Sequence, residues 1–251
     1  MIMRKKKILK CVLVTALTAA CAVIVSHLVT FHSKSYIAEP VSKSRKQIAL
    51  TFDDGPGENT AMLLEGLRER GAKASFFLLG SHAEDYPELV EQMYADGHLI
   101  GNHTYSHVNL RKSSKAEISG QIEKTNAIIE EITGERPKFI RPPYGAFTGL
   151  TLEHIDEIAI LWSMCPKDWE HETDEDYICN YIVEHARDGQ IVLLHDPRPA
   201  TVPAVLRAID ILKEEGFEFV RADELLCRGG KMLSAGLGYR YCADNGIVYW
   251  F

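Results

Sequence analysis

Short apolar segments of strand type alternate with segments of helix type along most of this chain. One of the helical segments begins with the capping box Ser114-x-x-Glu117, and another ends at Gly71. Strands that alternate with helices form a parallel sheet covered by helices, which is open or closed into a barrel. The sequence therefore predicts an α/β fold with seven strands, at residues 48–52, 74–79, 99–101, 139–140, 158–162, 191–194 and 217–220.

The N-terminal 31 residues differ in composition from the rest of the chain. Five basic residues within the first ten precede an apolar run at 11–31. About 20 apolar residues are enough to span a bilayer, and a basic flank stays in the cytosol. We predict that residues 1–31 form a cytosolic flank and a single-pass transmembrane signal anchor, with the folded domain outside the cell membrane. The alternative is secretion after signal-peptide cleavage near Ala20-Cys21-Ala22.

Composition divides the remaining chain into a polar linker at 32–46, a folded domain at 47–228 and a C-terminal tail at 229–251. Beyond residue 31 there are 23 basic and 35 acidic residues, a net charge of −12. Proteins that bind nucleic acid need a basic face, so this charge argues against nucleic acid as a partner. The absence of any C-x-x-C spacing argues against a zinc knuckle. We predict that Cys227 and Cys242 form a disulfide that fixes the tail, with free buried thiols as the alternative.

Polar residues with reactive side chains follow several of the predicted strands. Enzymes built as barrels of parallel strands place their active sites at the carboxyl ends of those strands. The sequence therefore predicts one active site formed by residues that are far apart in the chain. They are Asp53 and Asp54 after the first strand, His103 after the third, Arg141 after the fourth, Asp168 after the fifth and His195 after the sixth.

Asp54, His103 and His107 are the candidate metal ligands. A catalytic zinc usually has three protein ligands and leaves one position for water. Two histidines four residues apart on a helical turn lie on one face and can bind one ion, which leaves Asp53 beside the ion as a base. Each motif alone is also compatible with a structural role, because Asp, Gly and Pro favour turns and His-x-x-x-His is common. Their order and their positions after strands together favour a hydrolytic metal site.

Five motifs in this order resemble those of the polysaccharide deacetylases, the family-four carbohydrate esterases with a NodB-homology domain. The resemblance covers about residues 46–226. It implies a distorted (β/α) barrel with about seven parallel strands, and removal of N-acetyl or O-acetyl groups from glycans. The motifs are Thr51-Phe52-Asp53-Asp54-Gly55-Pro56, Gly101-Asn102-His103-Thr104-Tyr105-Ser106-His107, Arg141-Pro142-Pro143-Tyr144-Gly145, Asp168-Trp169 and Leu193-Leu194-His195-Asp196.

The resemblance also implies roles for individual residues. It supports Asp54, His103 and His107 as the metal ligands. Its catalytic residues would be Asp53 as general base, Arg141 to orient that base, His195 as general acid and Asp168 to tune the acid. Its substrate contacts would be Pro143, Tyr144 with its backbone N–H on the oxyanion, and Trp169 and Leu193 as walls of the acetyl pocket. One departure is Cys165, which stands where relatives often carry an acid.

This set of candidate metal ligands, base and acid suits hydrolysis of an amide or ester. A metal ion activates water, a carboxylate accepts its proton, and an acid protonates the leaving amine. We expect a monomeric, metal-dependent deacetylase of cell-wall glycan, above all of N-acetylglucosamine in peptidoglycan. Zinc is the expected ion, with cobalt or another transition metal as alternatives. The other hypotheses are an enzyme acting on chitin oligomers, xylan or another surface polysaccharide, a non-catalytic glycan-binding module, and a metal-dependent glycosidase.

Overall fold

The computed structural model describes residues 35–38, 46–152, 154–243 and 246–250. Contacts divide the chain into one unit at 1–36, of which only strand β1 (Ser35–Tyr36) is described, and a second unit at 37–251. No helix in the described ranges has both the length and the apolar character needed to cross a bilayer. The predicted anchor at 1–31 lies outside the described residues, as does the side chain of Cys242. The anchor and the Cys227–Cys242 disulfide therefore stay predictions.

Within its described residues, the second unit contains the seven predicted strands, close to where the sequence predicts them, and three further strands that were not predicted. In chain order they are β2 (Lys46–Asp53), β3 (Ala74–Leu78), β4 (Leu99–Asn102), β5 (Phe139–Ile140), β6 (Ile158–Ile160), β7 (Ile191–His195), β8 (Phe217–Phe219), β9 (Leu233–Ser234), β10 (Gly238–Ala243) and β11 (Gly246–Trp250). All residues of β2 after Lys46 are buried. Burial of consecutive residues means that both faces of the strand are covered, as expected in a parallel sheet with helices on its faces.

Seven of these strands, β2 to β8, run parallel and form a curled half-barrel. Their order across the sheet is β6-β5-β4-β3-β2-β7, and β8 pairs with the first residues of β2. In the pairing of β2 with β7, Asp53 lies opposite His195. The predicted α/β fold with about seven parallel strands is confirmed at this level.

The two edges of the curled sheet meet at one point. Beyond β6, the Ser163 N–H donates to the carbonyl of Ile191 at 2.9 Å, and Met164 forms a parallel bridge with Val192 of β7. The antiparallel hairpin β10–β11 extends the sheet beside β6. The predicted tail at 229–251 therefore contributes strands to the sheet.

Eight helices cover the sheet in the described part of the chain. The ends of the longest follow the sequence signals, because Ser114 accepts a hydrogen bond from the Glu117 N–H and Gly134 ends the helix with a φ of 75°. The helices are α1 (Thr60–Glu69), α2 (Gly80–Asp85), α3 (Pro87–Ala95), α4 (Lys115–Thr133), α5 (Gly149–Leu152), α6 (Glu175–His185), α7 (Thr201–Glu214) and α8 (Ala222–Leu226). Two 3-10 turns, Pro143–Gly145 and Asp168–Glu170, lie in loops that follow strands.

Candidate active site

The two adjacent aspartates at the end of β2 have different nearest partners, although both approach His103, with Asp53 Oδ2 lying 3.8 Å from His103 Nε2. Asp53 Oδ1 accepts a hydrogen bond from Arg141 Nη1 at 2.8 Å. Asp54 has a φ of 69°, and its Oδ1 lies 3.5 Å from His103 Nε2 and 3.4 Å from His107 Nε2. A positive φ is uncommon for residues other than glycine. The Asp53 carboxylate is thus hydrogen-bonded to a guanidinium, and the Asp54 carboxylate lies between two imidazoles.

Asp54, His103 and His107 together suit a divalent metal ion. One ligand atom from each lies within 4.8 Å of the others. Asp54 Oδ1 is buried and lacks a hydrogen-bond partner, which is costly for a carboxylate oxygen unless a ligand completes it. Burial lowers the pKa of His103 to about 3, so its imidazole is neutral at physiological pH. Its Nδ1 donates to the carbonyl of Arg141 at 2.6 Å, which leaves the lone pair of Nε2 for an ion.

Arg141 is fully buried and connects the first and fifth strands of the predicted series. Its guanidinium donates to the Thr51 hydroxyl at 2.6 Å and to the carbonyls of Ile160 at 3.0 Å and Leu161 at 3.1 Å, as well as to Asp53. Burial raises the pKa of the Asp53 carboxyl, and the charge of Arg141 opposes that rise. Arg141 therefore fixes the position of Asp53 and favours its ionised form.

His195, at the end of β7, forms a second charged pair with Asp168. Its Nδ1 lies 2.8 Å from Asp168 Oδ1, and its backbone N–H donates to Asp168 Oδ2 at 2.7 Å. The Thr201 hydroxyl also donates to Oδ2 at 2.7 Å. Burial lowers the pKa of His195, but the hydrogen bond and charge of Asp168 outweigh burial, and the net pKa is raised. With Nδ1 bonded to Asp168, the proton available for transfer is on Nε2.

A cavity of about 440 Å³ brings these groups together. Eight predicted site residues line it: Asp53, Asp54, His103, His107, Tyr144, Trp169, Leu193 and His195. Arg141, Asp168 and Pro143 are buried, and none of them is among the lining residues. For Arg141 and Asp168 this fits a supporting role behind Asp53 and His195. The substrate contact of Pro143 stays a prediction.

Two aromatic rings pack against the histidines at the cavity. The Tyr144 ring meets His107 edge to face with centroids 4.5 Å apart, and Trp169 meets His195 in the same way at 5.2 Å. Tyr144 is 67% exposed and has a φ of 61°. Uncommon positive φ values also occur at Asp54, Thr104 and His107. Such backbone strain persists where the surrounding structure fixes it, and it is concentrated at functional sites.

Sequence reasoning missed two residues that line the cavity, Trp162 and Arg198. Trp162 falls at the end of an apolar run, and Arg198 lies in a turn rich in proline; neither pattern indicates a site. It also missed two supports of the Asp53–Asp54 turn. His82 Nδ1 donates to the carbonyl of Asp54 at 2.7 Å, and the buried Asp196 packs so close to Gly55 that a Cβ there would lie 2.3 Å from its Oδ1. Both supports contact the turn from distant parts of the chain, so no local sequence pattern indicates them.

Comparisons with known proteins place this chain among the polysaccharide deacetylases. The family model described as "Polysaccharide deacetylase" matches residues 41–160. A peptidoglycan-N-acetylglucosamine deacetylase of Listeria monocytogenes is 37% identical over 210 residues, which are 83% of this chain and 44% of that protein. The chain thus spans less than half the length of this relative.

Solved structures match over most of their own length. A peptidoglycan deacetylase of Bacillus subtilis is 35% identical with a TM-score of 0.72, over 74% of this chain and 92% of that chain. A family 4 acetyl xylan esterase of Clostridium thermocellum, solved with a cobalt ion, is 34% identical with a TM-score of 0.68, over 72% of this chain and 90% of that chain.

Proposed function

The chain belongs to the polysaccharide deacetylases, and on this premise we propose that it hydrolyses N-acetyl groups of a cell-wall glycan, with N-acetylglucosamine residues of peptidoglycan as substrate. The observation that carries the proposal is that Asp53, His195 and the three candidate metal ligands line one cavity. Arg141 and Asp168 hold Asp53 and His195 from behind its wall. The cavity thereby combines a base, an acid and a place for a Lewis acid, as hydrolysis of an unactivated amide requires.

We propose that Asp54, His103 and His107 hold a divalent ion, with zinc as the first choice. His and Asp ligands with one position left for water are typical of catalytic zinc. The buried, unpartnered Asp54 Oδ1 and the neutral His103 support this ligand set. When bound, such an ion polarises the acetyl carbonyl and makes water more acidic.

The protein side chains would then move the protons. Asp53 accepts a proton from the attacking water, and Arg141 holds its carboxylate in place. His195 donates the proton on Nε2 to the nitrogen that leaves with the sugar, and without this step the amine is a poor leaving group. Asp168 keeps His195 protonated up to a higher pH than an isolated buried imidazole would reach.

The remaining cavity residues would place the acetyl group. Trp169 and Leu193 line the cavity beside His195 and would wall the pocket for the methyl group. The Tyr144 backbone N–H would donate to the oxyanion, a type of contact that stabilises the transition state of acyl transfer. The substrate assignment is supported by the peptidoglycan deacetylases among the relatives.

An O-acetyl esterase of xylan is the second candidate, because one similar structure is an acetyl xylan esterase. Acetate release from a panel of N-acetylglucosamine oligomers, peptidoglycan and acetyl-xylan separates the candidates. Release from the first two supports the proposal, and release from acetyl-xylan alone contradicts it. A glycosidase would produce reducing ends without acetate, and a binding module would produce neither.

We also propose that residues 11–31 anchor a monomeric enzyme in the cell membrane with its active site outside. The support is the basic flank and the apolar run of the sequence. Protease added to intact cells should release a soluble active domain from the membrane fraction. Maturation at or before Val23, found by N-terminal sequencing, would contradict the anchor.

A further inference from the structure

Arg198 is the one permanently charged cation among the described residues that line the active-site cavity. It lies on the turn that follows β7, and its backbone N–H donates to the carbonyl of His195 at 3.2 Å. The guanidinium is therefore attached to the same short turn as the proposed general acid. Nothing in the proposed hydrolysis of the acetyl group uses this charge.

The proposed function, on which this inference rests, defines which part of a substrate would meet Arg198. The amine that receives the proton from His195 remains attached to the sugar, whereas the acetyl group points to Asp54 and the two histidines. The sugar ring and its substituents therefore lie on the His195 side of the cavity. The residues that line the cavity near His195 include Trp169, whose ring contacts His195, and Arg198.

Within the described part of the chain, the partner of the Arg198 guanidinium is Glu172, which accepts a hydrogen bond from Nη1. Both side chains are well exposed, at 39% and 48%. An exposed ion pair of this kind contributes little to stability and is easily replaced. A guanidinium has five N–H donors in a planar fork, so the contact with Glu172 leaves donors for a second carboxylate.

We infer that Arg198 selects glycans that carry a carboxylate next to the reacting N-acetyl sugar over neutral glycans. The lactyl ether of a muramic residue and the carboxyl group of a uronic acid both present this chemistry. The net charge of −12 beyond residue 31 opposes an anionic substrate at long range. Such repulsion is screened beyond about 8 Å at physiological ionic strength, so the direct contact with Arg198 determines the preference for the carboxylate.

Substrates whose carboxylates have been converted to neutral amides test this inference without altering the sugar chain. The full chain in detergent would be assayed for acetate release from a peptide-free glycan of alternating N-acetylglucosamine and muramic residues. The comparison substrate is the same glycan with its lactyl carboxylates amidated, and an N-acetylated oligomer containing uronic acid is the third arm. We expect kcat/KM for the free acid to exceed that for the amide by about tenfold, the scale of a charge-assisted hydrogen bond at a partly exposed site.

Three variants separate recognition from structure. Arg198→Gln should remove the preference for the free acid, mainly through KM. Glu172→Gln should increase it, because the competing carboxylate is lost. Arg207→Gln is the matched control, since Arg207 pairs with the exposed Asp176 at 2.7 Å and does not line the cavity, and it should keep the wild-type ratio. Added salt should reduce the ratio in the wild type.

The outcomes distinguish this inference from the proposed function. An acid-to-amide ratio that is the same in Arg198→Gln and wild type overturns the role of Arg198, even if both release acetate. If the wild type releases no acetate from any arm, the proposed function is contradicted. Titration calorimetry of the free-acid and amidated glycans then still measures the preference, and equal dissociation constants would overturn the inference. A preference confined to the uronic oligomer would identify that source and exclude the lactyl group.

Discussion

The site contains two charged pairs built in opposite order. On β2 the carboxylate of Asp53 faces the cavity and the cation of Arg141 is buried behind it; on β7 the imidazole of His195 faces the cavity and the carboxylate of Asp168 is buried behind it. Burial raises the pKa of Asp53 and lowers that of His195, so it disfavours the charged form of both. The buried partner opposes that effect in each pair. Protonation at this site is therefore set by residues that the substrate does not touch.

The largest expected effect is the loss of the base. Asp53→Asn should lower turnover by about 10²-fold or more, the scale of a general base, and should retain the metal because Asp54, His103 and His107 are intact. Acetate release and metal content of the purified variant measure both. If this variant loses its metal, Asp53 is a ligand and the assignments of the two aspartates are wrong.

The effect of removing the general acid on activity should depend on the leaving group, whereas the effect of removing the general base should not. His195→Ala should lower turnover of N-acetylglucosamine oligomers by about 10²–10⁴-fold, because the amine needs a proton. An activated aryl acetate expels a weakly basic phenolate, which needs none, so this variant should hydrolyse it nearly as well as wild type. Asp53→Asn is the control that should fail on both substrates. Equal losses of the two activities in His195→Ala would remove it from the role of acid.

Asp54→Asn tests the candidate metal site, which is separate from the two charged pairs. The change removes a charged oxygen from the candidate metal site while Asp53, Arg141 and His195 remain. We expect weaker zinc binding and an activity that rises with added zinc, in contrast to Asp53→Asn, which zinc should not rescue. Metal titration against acetate release measures this difference. Stoichiometric zinc in the purified variant would contradict the ligand assignment.

The pH profile probes the buried partner of His195. The imidazole must be protonated to act as acid, so activity falls as pH rises through its pKa. Asp168→Asn removes the hydrogen bond and the charge that raise this pKa, and burial then lowers it. The high-pH limb of kcat/KM should therefore move to lower pH. An unchanged limb would show that Asp168 does not tune His195.

The smallest expected effect concerns Thr201, one of the donors to Asp168. Thr201→Val should lower the free energy of unfolding by about 1 kcal/mol, the usual value of one hydrogen bond. The high-pH limb should move little, because the hydrogen bond between Asp168 and His195 remains. Thr201→Ser keeps the hydroxyl and is the control in a denaturant titration. A large shift of the limb in the valine variant would mean that Thr201 helps to set the pKa.

Much of the fold followed from local patterns. The helix at Lys115–Thr133 begins and ends at its capping signals, and β2 and β7 each contain a short buried run of mostly apolar residues. The helix at Gly80–Asp85 was not predicted, because six residues that begin with glycine carry no helical period. Strand β6 ends at Ile160, two residues earlier than predicted, and the carbonyl of Leu161 accepts a hydrogen bond from Arg141.

The reactive side chains were predictable because most of them come within a few residues of the end of an apolar run. Their supports were not, because burial decides their roles. Asp196 appears in sequence as a turn residue, yet it is fully buried beneath Gly55, and burial raises its pKa to about 7. Arg198 stands between two prolines in a polar turn, and its position at the cavity follows from the course of the chain after β7.

The pairing of β2 with β7 makes the distance between Asp53 and His195 a property of the backbone ladder. They are opposite residues, so the hydrogen bonds that fold the sheet also set the spacing of the proposed base and acid. Loops between the two strands can change in length without altering that spacing. A deletion of one residue inside β7 would turn the His195 side chain to the other face of the sheet. The spacing of the proposed base and acid thus depends on two short strands, whereas the metal ligands and the buried Arg141 and Asp168 depend on the segments that join those strands.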